Sequence, residues 1–162
     1  MKTKISKDAF LFPGAVIIFL VLASMNVAHG KEKPYYFSTT LSGSLEEVTM
    51  QVKETLKSHG FGVITEVDMH EKLNNALNKD VTPYRLLGVC DPSSAYDALQ
   101  VEKNVGLMLP CKMIIREVGE NTYSVVSVNP DVMMKMAGNQ ELNKVGKEVT
   151  NRLKKVIEDL KE

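Results

Sequence analysis

The chain has no tryptophan, two cysteines and three histidines, and aromatic residues fill only 6% of its 162 positions. Two cysteines are too few for a disulfide-dense secreted scaffold. The histidines, His29, His59 and His70, include no pair at the i, i+4 spacing of a helical zinc site, and Asn74 stands where a metalloprotease motif beginning at His70-Glu71 would need its second histidine. No metal is assigned from this pattern. An excess of charge is missing too, with 20 basic and 20 acidic residues. Lys and Glu are mixed along the chain, so neither the basic face nor the interleaved aromatics of a nucleic-acid binder are present. There is no phosphate-cradling glycine loop, no nucleophile elbow and no pair of carboxylates that stands out from the surface charge. The sequence therefore names no reaction and no cofactor.

What is present begins with a targeting segment. Lys2, Lys4 and Lys7 precede an apolar run over residues 9–23 that continues weakly to Ala28, the order of a secretory signal. The run is also close to the length of a membrane-spanning helix. Residues 1–30 are read as a signal peptide or an N-terminal membrane anchor, and Pro13-Gly14 favours the former. Export to the periplasm or cell envelope is the expectation, with membrane attachment only through this segment. Removing Lys2, Lys4, Lys7 and Asp8 leaves 17 basic and 19 acidic residues. Residues 31–38 read as a spacer and 39–162 as one domain, a length that supports a single core of ordinary size.

Within that domain the hydrophobic period switches repeatedly. Residues 35–41 read as a strand across the spacer's end. Ser44-Leu45-Glu46-Glu47 is a capping box, and Leu45, Val48, Val52 and Leu56 form the stripe of an amphipathic helix that Gly60 stops. Phe61, Val63, Thr65 and Val67 alternate as in a strand. Asp68 is placed to cap a short helix with Leu73, Ala76 and Leu77 on one face. Residues 84–89 read as a strand, and Asp91-Pro92 supplies an N-cap with proline at the first helical position, ahead of a small buried face of Ala95, Ala98 and Leu99. Residues 107–118 form the longest apolar run and pair with 123–128 across Gly119-Glu120-Asn121. Asn129-Pro130-Asp131 repeats the cap-then-proline device, and Leu142, Val145, Val149, Leu153, Val156 and Leu160 hold a three-four spacing. The order β-α-β-α-β-α-β-β-α-α predicts an α+β domain, a largely antiparallel sheet with helices packed on one face.

Residues 60–63, 84–92, 106–111 and 129–130, reading GFGV, YRLLGVCDP, GLMLPC and NP, together resemble the family catalogued as domain of unknown function 302. The resemblance covers about residues 39–160. It implies a compact α+β fold and self-association into homodimers, and no established activity. The family pattern lands on Tyr84, Gly88, Cys90 and Pro92, on Leu109, Pro110 and Cys111, and on Pro130. Tyr84, Pro92 and Pro110 become a candidate cleft. Many members resemble cytoplasmic proteins, so a thiol role held there is open to replacement here by a disulfide.

Cys90 and Cys111 are the candidate functional or disulfide pair. Cys90 precedes a helix N-terminus, whose partial positive charge favours a thiolate. If bridged, the loop between them contributes about 3 kcal/mol in the chain-entropy model. Buried hydrophobes, a structural bridge and a reactive or metal-binding pair all remain open. Met133, Met134 and Met136 add thioethers of the type that suits Cu(I), although core packing also accounts for them. Asp68, Glu71, Asp91 and Asp131 are explained by capping or first-turn positions. The resulting expectation is an exported small-ligand or partner-binding module. The rivals are a thiol-dependent redox protein using Cys90 and Cys111, and an envelope metal or haem carrier.

Overall fold

The starts of the first, third and last helices are written locally, each in a side-chain cap. In the computed structural model, which describes residues 33–161, Ser44 Oγ accepts the Glu47 N–H while the Glu47 carboxylate accepts the Ser44 N–H at 2.8 Å. This closes the capping box and fixes where β1 (Tyr36–Ser42) gives way to α1 (Leu45–Ser58). β1 opens at Tyr36, so the last residues assigned to the spacer are sheet. The residues read as a targeting segment lie outside the described residues.

The remaining elements follow in the expected order. They are β2 (Gly62–Asp68), α2 (Met69–Leu77), β3 (Tyr84–Cys90), α3 (Pro92–Val101), a 3-10 turn (Lys103–Met108), β4 (Cys111–Gly119), β5 (Thr122–Val128), α4 (Pro130–Lys135) and α5 (Gln140–Asp159). The strands form one antiparallel sheet in the order β1-β5-β4-β3-β2.

Alternation divides the sheet into two unlike faces. Leu87 and Val89 of β3, Cys111, Met113 and Ile115 of β4, and Tyr123 and Val125 of β5 are buried. They pack with Val48, Val52 and Leu56 of α1 and with Val149, Leu153, Val156 and Ile157 of α5 in the main core. A smaller cluster of Ala98, Val105, Met134 and Leu142 fills the space among α3, the 3-10 turn, α4 and α5. Among the described residues, no helix is long and apolar enough to cross a membrane.

Four sequence expectations change in detail. A bulge between Val63 and Thr65 interrupts the alternation of β2 and leaves Ile64 61% exposed; the extra residue breaks the period of two. The run over 107–118 divides between the 3-10 turn, which ends at Met108, and β4, which begins at Cys111, and Leu107 in the turn is 92% exposed. Leu73 and Leu77 are exposed, because α2 buries none of its side chains. Asp68 makes no capping bond and turns to Arg85 instead.

Candidate functional site

The turn from β3 into α3, together with the start of β4, holds both cysteines. Asp91 accepts the Ser94 N–H and the Ser94 hydroxyl and pairs with Arg152 of α5 at 2.6 Å. Burial works against its charge, but the bonds from Ser94 and Arg152 prevail and hold its carboxyl below the usual range. The Arg152 guanidinium lies 4.6 Å from the Phe61 ring centre and donates to the His59 carbonyl. One acidic cap thus ties α3 to α5 and to the end of α1.

Both cysteines carry free thiols. The register sets Cys111 opposite Val89 and Cys90 opposite Gly62. Cys90 therefore belongs to the set of side chains that alternates with Val89, whereas Cys111 shares the core side with it. The expected thiolate at Cys90 gives way to the opposite tendency. Burial and the neighbouring Asp91 carboxylate push its thiol up, and the Ser94 N–H at the α3 N-terminus is taken by Asp91. Cys111 is 7% exposed, and burial pushes its thiol up to about 11.

Two small cavities meet at Cys111. One, of about 20 Å³, lies among Phe61, Val89, Cys90, Leu109, Cys111 and Met134. The other, of about 140 Å³, is walled by Leu107, Met108, Cys111, Pro130, Met133 and Met134, with Lys112 at its edge. Both fall below the 300 Å³ or so typical of pockets for drug-sized ligands. A larger groove, about 590 Å³, runs openly along β2 beside Lys53 and Lys57. Among the described residues no three His, Cys, Asp or Glu side chains converge as a metal site.

The candidate cleft does not assemble around one point. Tyr84 opens β3, where its N–H donates to His70 Nδ1 at 3.2 Å. Pro110 packs near the other end of that strand, over Gly88. Pro92 begins α3 on an exposed surface. Gly88 must be glycine: a Cβ there would lie 2.1 Å from Thr65 Oγ1 and 2.7 Å from Pro110 Cγ.

A second polar centre forms around Arg85, which the sequence places on a strand as a residue able to face a cleft or the strand surface. Arg85, 5% exposed, donates to both Glu46 oxygens at 3.0 and 2.8 Å, to Asp68 at 2.7 and 3.2 Å and to Thr49 Oγ1 at 3.2 Å, with Glu66 3.3 Å away. These bonds hold Glu46 and Asp68 below the usual carboxylate range. Every donor is occupied by fixed neighbours, so the cluster clamps α1 to the sheet. An arginine inside a strand-like run was the only signal. At the other end, Asp131 is buried, its carboxylate meeting Lys33 at 2.7 Å and its N–H donating to Thr150 Oγ1 at 2.8 Å. Asp131 is thus more than a first-turn acid.

With this geometry established, comparison with known proteins gives a consistent answer. The family model described as "Domain of unknown function DUF302" matches residues 37–160. The chain belongs to the DUF302 family. A crystal structure of an uncharacterised conserved DUF302 protein from Bacillus stearothermophilus superposes with a TM-score of 0.72 at 25% identity, covering 78% of this chain and 98% of that one. No curated protein matches. In this DUF302 chain the separated blocks at Gly88, Cys90, Pro110 and Cys111 meet at one junction: Pro110 packs on Gly88, and Val89 stands opposite Cys111.

Proposed function

We propose that this DUF302 chain is an exported partner-binding module of the cell envelope, and that its partner surface is the sheet face opposite the helices. The observation that carries the reading is a row of apolar side chains across four adjacent strands. Val67 stands opposite Leu86, Leu86 opposite Ile114, and Ile114 opposite Val126. Alternation puts all four on the side away from α1 and α5, and each is only partly buried. With neighbouring strands about 4.8 Å apart, the row is roughly 14 Å long.

The first partner is a second copy of the chain. A two-fold contact sets such a row against its own image and needs no opposite charge. The flanking positions Ser38 and Thr40 offer hydroxyls that pair with like hydroxyls. The homodimer implied by the family resemblance agrees with this placement. Export rests on the basic start and apolar run of residues 1–30. The small size of the cavities at Cys111 favours a partner over a small organic ligand.

Hydroxyl-radical footprinting over a concentration series tests the surface. Oxidation at Leu86 and Ile114 falls as the protein is concentrated, while the exposed Leu107, away from the row, stays constant. Uniform oxidation at every concentration would sink the reading.

A further inference from the structure

Four of the residues that line the 140 Å³ cavity carry sulfur: Met108, Cys111, Met133 and Met134. They come from three separate segments, the 3-10 turn, the start of β4 and α4. Their convergence is therefore a product of the fold and not of a methionine-rich run. Met136, which the sequence grouped with Met133 and Met134, lies outside it and is 75% exposed. Met134 and Cys111 also line the adjoining 20 Å³ cavity, so these two sulfur-bearing side chains stand between both spaces. Gly146 of α5 leaves the room that the Met134 thioether uses, since a Cβ there would stand 3.1 Å from Sδ.

We propose that this cavity is a binding site for a soft monovalent cation, Cu(I), with Cys111 as thiolate ligand and Met108, Met133 and Met134 as thioether ligands. Thiolate and thioether donors select Cu(I) over harder cations. Binding releases the Cys111 proton to solvent and forms one Cu–S(thiolate) bond, so one positive charge meets one negative charge. The neutral product suits an apolar wall, whereas a divalent ion would leave an unpaired charge there. Lys112, the one cationic residue in the lining, is engaged in a 2.6 Å bond from its Nζ to the Pro110 carbonyl. Methionine side chains rotate about three bonds and can close on an ion without moving the backbone. Cys90 is not assigned as a ligand, because it lines the 20 Å³ cavity beside Cys111 and not the 140 Å³ one. The inference stands independently of the sheet-face reading.

The test is competition for Cu(I) against bicinchoninate, using the full chain in mild detergent, reduced and under anaerobic conditions. One Cu(I) per chain is expected. Replacing Met133 and Met134 by leucine, which preserves the apolar volume, weakens binding by about tenfold or more, and Cys111→Ser abolishes it. Cys90→Ser leaves affinity within about threefold. X-ray absorption of the loaded protein shows a sulfur-only shell. If Cys111→Ser fails to fold, as judged by circular dichroism, the leucine variants decide. Failure of the wild-type chain to compete, or unchanged affinity in the Met133→Leu, Met134→Leu variant, overturns the proposal. So does loss of binding in Cys90→Ser with the methionine variants unaffected.

Discussion

Gly88 and Pro110 meet across the junction of β3 and β4, in a space that admits no side chain on the glycine: a Cβ would stand 2.7 Å from Pro110 Cγ. Thr65 Oγ1 closes the other side at 2.1 Å. Ala at position 88 must push apart three segments at once, the edge strand β2, β3 and the approach to β4. Gly88→Ala is expected to cost about 2 kcal/mol, within the usual range for overpacking, read as a lower denaturant midpoint. Thr65→Ala in the same chain removes one of the two obstructions and recovers part of the loss. A variant as stable as wild type would show that the junction is slack.

The Arg85 cluster gives a pH dependence with a definite sign. Hydrogen bonds from Arg85 hold Glu46 and Asp68 below their ordinary pKa range. A carboxylate with a depressed folded pKa stabilises the fold above its unfolded pKa, near 4, and loses that contribution as pH falls through the folded value. Arg85→Met keeps the chain's bulk and removes the bonds. It is expected to cost about 2 kcal/mol at pH 7, since the freed carboxylates reach water in part. The gap between wild type and variant narrows below about pH 4. Urea titrations at pH 7 and pH 3 measure it, and a gap that widens in acid would contradict the assignment.

The cysteines differ in access. Cys111 is buried on the core side with its thiol pushed up to about 11, while Cys90 is only partly buried. Alkylation followed by peptide mass spectrometry is expected to label Cys90 first and Cys111 only after denaturant is added. Because both thiols are free in the fold, mass measured without reductant shows two free thiols per chain. Equal labelling rates, or a chain lighter by two hydrogens, would contradict this placement.

The parts of this fold that were legible in sequence are those encoded within a few residues. Ser44 and Glu47 close their box three residues apart, Asp91 caps the helix that Pro92 begins, and Leu142, Val149, Leu153 and Val156 bury the face their spacing marks. Where a partner lies far along the chain, local pattern says nothing. Glu46 meets Arg85 across 39 positions and Arg152 meets Asp91 across 61. The bulge in β2 was hidden because one inserted residue leaves composition untouched. Met108 joins Met133 and Met134 only through the packing of the 3-10 turn against α4. The candidate site was thus partly visible: its cysteines were marked by their place beside a helix start and a proline, Met133 and Met134 by their local cluster, and Met108 by nothing local.

The apolar row of Val67, Leu86, Ile114 and Val126 carries the central claim, and Ile114 lies in its middle with neighbours on both sides. Its side chain points away from the core, so Ile114→Glu changes that face without disturbing the packing of α1 and α5. Sedimentation equilibrium of the wild-type chain and of Ile114→Glu, at matched concentrations and with circular dichroism to confirm folding, tests the claim most directly. The account predicts a dimer mass for wild type and a monomer mass for the folded variant. Equal masses for the two folded proteins would contradict it.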